Sequence, residues 1–105
     1  MSQEYCVILT TTGSQEEANH LSELLVQEKL AACVQRFPIT SNYTWEGQLT
    51  HDSEWLLLIK TRSEKYKGIE ALILTHHSYD VPEIIQLPVE AGNPGYLTWI
   101  DDNTA

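Results

Sequence analysis

Adjacent imidazoles at His76 and His77 are the side chains of this chain best suited to chemistry, because imidazole nitrogen takes copper, zinc and nickel. Their position has a second account: they end an apolar-periodic stretch, and positive charge is favoured at the C-terminal end of a helix. His20 and His51 have no ligand-type neighbours at useful spacing and are expected on the surface. Cys6 and Cys33 form no CxxC or other paired spacing, so both are expected as buried, inert thiols. Cys33 opens a strand between Ala32 and Val34, whereas a reactive thiolate needs an exposed, electropositive setting. Four of the six basic residues, Lys60, Arg62, Lys65 and Lys67, cluster before and within a second helix. They could receive a phosphate or carboxylate there, or balance the acids of a neighbouring subunit. No G-x-S-x-G, HExxH, Walker loop or GxGxxG occurs, so a binder rather than an enzyme is expected.

The elements that must position these residues follow from pattern. Tyr5 to Thr10 is apolar and β-rich, a first strand buried on both faces, and Thr11-Thr12-Gly13 turns the chain. Ser14 and Glu17 have capping-box spacing, and Ala18, Leu21, Leu24 and Leu25 carry a helix to about Lys29. A second strand runs from Ala32 to Trp45, with a bulge or bend expected at Pro38. Glu46-Gly47 is the hairpin turn, and the return strand spans Gln48 to about Thr61. Its run Trp55-Leu56-Leu57-Leu58-Ile59 predicts cover on both faces. Ser63 is expected to cap a second helix bearing Tyr66, Ile69, Leu72 and Ile73 and ending near His76. Tyr79, Pro82 and Glu83 read as a loop launching a last core strand, 83–89. Gly92 to Gly95 is expected as a turn, and Tyr96 to Ile100 as a short helix or strand.

The order β-α-β-β-α-β defines an α+β, ferredoxin-like domain, one antiparallel sheet with both helices on one face, over the single unit 1–105. Lengths add a prediction. Extended, Ala32 to Trp45 spans about 45 Å at ~3.3 Å per residue, against about 24 Å for a helix from Ser14 to Lys29. Nearly half of the hairpin must protrude, carrying Tyr43, Trp45 and Leu49. An exposed apolar patch with open edges predicts packing against further copies of the chain, and a ring closes such contacts.

Charge and composition narrow the partners. A net charge of −9 with six Lys and Arg disfavours general nucleic-acid binding, which needs clustered cations. The N-terminus lacks a basic start followed by an apolar run, and no stretch approaches the ~20 apolar residues of a membrane span. Two unpaired cysteines suit a reducing compartment, so a cytoplasmic location is expected.

Five segments in order resemble the CutA family of divalent-cation tolerance proteins. They are Glu28-Lys29-Leu30-Ala31-Ala32-Cys33, then Ser41-x-Tyr43-x-Trp45-x-Gly47, then Ile59-Lys60-Thr61, then His76-His77-x-Tyr79-x-x-Pro82-Glu83, then Tyr96-Leu97-x-Trp99. The resemblance covers the chain from Val7 to about Asp101. It implies a tight homotrimer built on the hairpins (Tyr43, Trp45 and Leu49 at the interface), an assembly similar to PII-type signalling proteins, and copper or another divalent cation as ligand. It assigns the metal to His76 and His77, with a carboxylate such as Glu83 as an aid. Copper-binding members have a Cys where Thr10 stands here, and a hydroxyl is a far poorer soft ligand. The resemblance also places Lys60, Tyr79, Glu83 and Trp99 near an inter-subunit cleft, where they could hold a small anionic metabolite. That is the alternative: a PII-like sensor or scaffold with no metal role.

Overall fold

Eight elements follow one another along the chain: β1 (Tyr5–Thr12), α1 (Gln15–Gln27), β2 (Cys33–Trp45), β3 (Gln48–Arg62), a 3-10 turn (Ser63–Lys65), α2 (Tyr66–His76), β4 (Ile85–Pro88) and α3 (Pro94–Asn103). The structure is a computed structural model that describes residues 4–105. The strands form one antiparallel sheet in the order β2-β3-β1-β4, the arrangement expected for the split β-α-β.

Side-chain alternation sorts the sheet into two unlike faces. Cys6 lies opposite Thr61, Ile8 opposite Ile59 and Thr10 opposite Leu57, and all six are buried. They meet Ala18, Leu21 and Leu25 of α1 and Ile69 and Ile73 of α2 in one core. The other face, which carries Tyr5, Val7 and Leu9, is covered at one end only. There Tyr5 Oη donates to the Asp101 carboxylate at 2.7 Å, and Arg62 donates from Nε to Thr104 Oγ1 at 2.8 Å, tying on α3. Phe37, Ile85 and Leu87 on the rest of that face are 45, 48 and 46% exposed. The double cover predicted for the Trp55–Ile59 run is thus supplied on one face by this chain, and only in part on the other.

Local signals worked differently from the simplest expectation at four places. Ser14 caps α1 by accepting from Glu17 N at 3.1 Å, but the Glu17 carboxylate turns away to Ser78, so the box is half formed. Pro38 sits in unbroken register opposite Trp55 with no bulge. β2 has one open edge, and an edge strand accommodates a residue that cannot donate. Ser63 opens a 3-10 turn instead of capping α2, and its Oγ is buried without a partner. Asn93 and Pro94 start α3 rather than forming a turn: Asn93 Oδ1 accepts from Gly95 N at 2.8 Å, and Pro occupies the first helical turn, where its missing N–H costs nothing.

The β2–β3 ladder runs without a break from Cys33–Lys60 to Trp45–Gln48. Its turn places Glu46 at φ 50° and Gly47 at φ 77°, the paired left-handed conformation that matches strand twist in two-residue hairpins. The hairpin projects as its length predicts, giving the chain a longest dimension of 44 Å against 27 and 22 Å. Trp45 and Leu49 near the tip are 63 and 79% exposed.

Candidate functional site

The end of β1, the start of α1 and the end of α2 converge on the histidine pair. α2 stops at His76, and His77 adopts an extended backbone, so the two side chains diverge. The imidazole of His77 is wholly buried. Its Nδ1 accepts the Tyr79 N–H at 3.0 Å, and its Nε2 donates to the Thr11 carbonyl at 2.7 Å. A backbone N–H directed at Nδ1 requires a lone pair there, which selects the neutral tautomer protonated at Nε2. Glu17 Oε2 lies 3.6 Å from the same Nδ1 without forming an ion pair with it. Its carboxylate accepts instead from Ser78 N at 2.7 Å and Ser78 Oγ at 3.0 Å. His77 is therefore a buried tie between α2 and β1, and with both ring nitrogens engaged it is withdrawn from the ligand pair expected from sequence.

Thr10 is also fully buried, opposite Leu57, with Oγ1 lacking a partner. A hydroxyl in the core, a doubly bonded imidazole and one free imidazole do not fit a soft cation as a three-donor set. Glu83 is exposed, and no group of three or more His, Cys, Asp or Glu side chains among the described residues is placed to hold a metal.

His76 is different. It is exposed, and its ring lies 5.8 Å from that of His20 on α1, at an interplanar angle of 75°. Neither ring takes part in a hydrogen bond among the described residues. His20 and His76 are 56 positions apart, so no spacing rule applied to the sequence could join them; the packing of α1 beside α2 does.

The four residues assigned to a ligand cleft fall into separate groups. Lys60 Nζ stands 5.7 Å from the centre of the Tyr96 ring, which stacks on Trp99 at 5.6 Å and 20°. Beside them a pocket of about 200 Å³ is lined by Cys6, Val7, Lys60, Tyr96 and Leu97 among others. Burial pushes the Cys6 thiol up, which keeps it protonated and unreactive. Tyr79 belongs to the base of the hairpin, where its hydroxyl donates to Glu54 Oε2 at 2.9 Å. Burial first, then that bond and the charge of Glu54, hold the Tyr79 hydroxyl far above the ordinary tyrosine range. Gly13 admits this ring: a Cβ there would stand 3.1 Å from Tyr79 Oη. Glu54 and Lys60 are six residues apart on β3, about 20 Å at ~3.3 Å per residue, so one chain does not bring Tyr79 to Lys60.

The fold is that of a small α+β protein with one four-stranded antiparallel sheet and the histidine corner at the ends of β1 and α2. Residues 6–103 match the family described as CutA1 divalent ion tolerance protein, and the chain belongs to that family. It is 42% identical over 99 residues to the divalent-cation tolerance protein CutA of Thermus thermophilus, spanning 93% of this chain and 96% of that one. A chloroplastic CutA of Arabidopsis thaliana is 43% identical over 99 residues, which is 93% of this chain but 54% of that longer protein. Among solved structures, one described as the periplasmic divalent cation tolerance protein CutA from Archaeoglobus fulgidus superposes with a TM-score of 0.95 at 39% identity, covering 96% of this chain and 99% of that one. CutA1 from Oryza sativa does so with a TM-score of 0.95 at 39% identity, covering 99% and 96%.

Proposed function

We propose that this chain is a non-catalytic, cytoplasmic homotrimer that binds divalent cations, copper(II) first, in the service of metal tolerance. The observation that carries the reading is the exposed His76 imidazole, free of hydrogen bonds among the described residues and set at the C-terminal end of α2. That end of a helix attracts positive charge, and the chain's own net charge of −9 draws cations toward it. Copper(II) heads the affinity order for nitrogen ligands. The family to which the chain belongs is named for tolerance of such ions.

Support for the trimer comes from the half-covered sheet face and the bare hairpin. Phe37, Ile85 and Leu87 on that face, with Trp45 and Leu49 at the tip, form apolar surface that a lone chain leaves in water. Closing three chains about the hairpins would bury that surface. The free thiols of Cys6 and Cys33 favour a reducing compartment.

Native mass spectrometry of protein isolated from its own host without added metal tests the reading. The expected result is a trimer carrying divalent metal in proportion to its subunits. A metal-free trimer with a reproducible small-molecule adduct overturns the metal role in favour of a metabolite sensor, and a monomer overturns the assembly.

A further inference from the structure

We propose that His20 and His76 together form a divalent-cation site bridging α1 and α2, open to solvent and completed by water. This inference rests on the divalent-cation reading of His76 and supplies its second ligand.

Selection among the four imidazoles points to this pair. His77 spends both ring nitrogens inside the fold, and His51 Nδ1 lies 3.2 Å from Asn42 Oδ1 on the hairpin. Among the described residues only His20 and His76 keep both nitrogens free of hydrogen bonds, and these two rings are neighbours. Two imidazoles sharing one ion at Zn–N distances of about 2.0–2.1 Å have ring centres about 5–6 Å apart. The observed 5.8 Å lies in that range. The rings are edge to face, so each must turn a nitrogen toward a common point; χ2 of histidine is a soft torsion, and both side chains are exposed.

Charge favours the same place. Glu16 precedes His20 by one helical turn, and Glu23 follows it by slightly less than one turn, so both add negative charge within a turn of His20 along α1. His76 is the last residue of α2, where unsatisfied carbonyls present the negative end of the helix. With no third side-chain ligand in place among the described residues, two nitrogens and water make a site that loads and unloads readily. A closed structural zinc site would need four protein ligands. Rapid exchange suits buffering of a cation rather than permanent retention.

The pair separates from the motif reading at one residue, His20. Zinc titrated calorimetrically into metal-stripped wild-type protein, H20Q, H76Q and H51Q provides the test, with circular dichroism to verify that each variant is folded. Among the described residues the rings of His20 and His76 make no hydrogen bonds, so their replacement leaves the fold intact. The expected result is a loss of zinc affinity of at least about tenfold in H20Q and in H76Q, the scale seen even when a ligand's outer support is removed. H51Q should match wild type. Zinc should also raise the thermal midpoint of the wild type and not that of H20Q, because an ion bound only by the folded pair stabilises it. Loss in H76Q with H20Q unchanged overturns the pair and leaves the His76 reading standing. Unchanged binding in both variants overturns both, and no zinc binding by the wild type overturns the pair.

Discussion

β3 passes through two environments. From Trp55 to Lys60 it lies between β1 and β2 against the helices, and Leu57 and Ile59 are fully buried. From Gln48 to Glu54 it has β2 as its only neighbour among the described residues, and Leu49 is 79% exposed. The covalent chain and the ladder are continuous across the boundary, so hydrogen bonding does not distinguish the halves. Packing does. The lower half gains the burial of apolar area that makes a sheet stable, whereas an isolated two-stranded ribbon is marginal in water. The body is thus held by this chain's own core, and the ribbon above it is held by its turn, its ladder and whatever surface covers it in the proposed trimer.

The largest expected effect is in the body. Ile59→Ala should destabilise the fold by about 2–5 kcal/mol, the range for removing a fully buried aliphatic side chain, and by the same amount at every protein concentration. Leu49→Ser should instead shift urea melts in a concentration-dependent way and move sedimentation toward smaller species, since its burial would come from other chains. Equal, concentration-independent losses in the two variants would erase the distinction between body and ribbon.

A smaller effect is expected at the tip. Gly47 has open space around its Cα, so a methyl group there meets no atom, but its φ of +77° is unfavourable for any other residue. Gly47→Ala should therefore cost roughly 1–2 kcal/mol from backbone conformation alone. Amide exchange should quicken near Trp45 and Gln48 while staying unchanged in β1. Protection lost equally in both strands would mean that tip and body open as one unit.

The smallest effect concerns the contact that closes α3 onto β1. The bond to Asp101, followed by burial and the nearby acid charge, raises Tyr5 to about 12 from its ordinary 10.0. The folded state therefore keeps the phenolic proton after the unfolded chain has begun to lose it. This contribution is fully present below about pH 10 and disappears as pH rises through about 12. Thermal melts between pH 9 and 12 should decline less steeply for Tyr5→Phe than for wild type. Identical slopes would remove Tyr5 from the account.

Much of the fold was legible because its signals are local. The β-rich apolar run from Tyr5 to Thr10, the cap at Ser14, the apolar stripe of α1 and the Glu46-Gly47 turn each act within a few residues of where they are written. Two of the misreadings arose from tertiary placement. Glu17 has the spacing of a capping box, yet a tertiary neighbour, Ser78, claims its carboxylate. Pro38 reads as a break, but an edge strand leaves room for it.

The histidines divide along the same line. Residue type and helix position were enough to single out His76 and His77 as potential ligands, and strand length alone was enough to require that the hairpin protrude. Which imidazole is free, which is consumed by Thr11 and Tyr79, and which meets His20 are settled by how α1, α2 and β1 pack. The reason is physical: periodicity acts over a few residues and depends on side-chain type, whereas coordination depends on distances between atoms of different elements, which exist only once the core has brought those elements together.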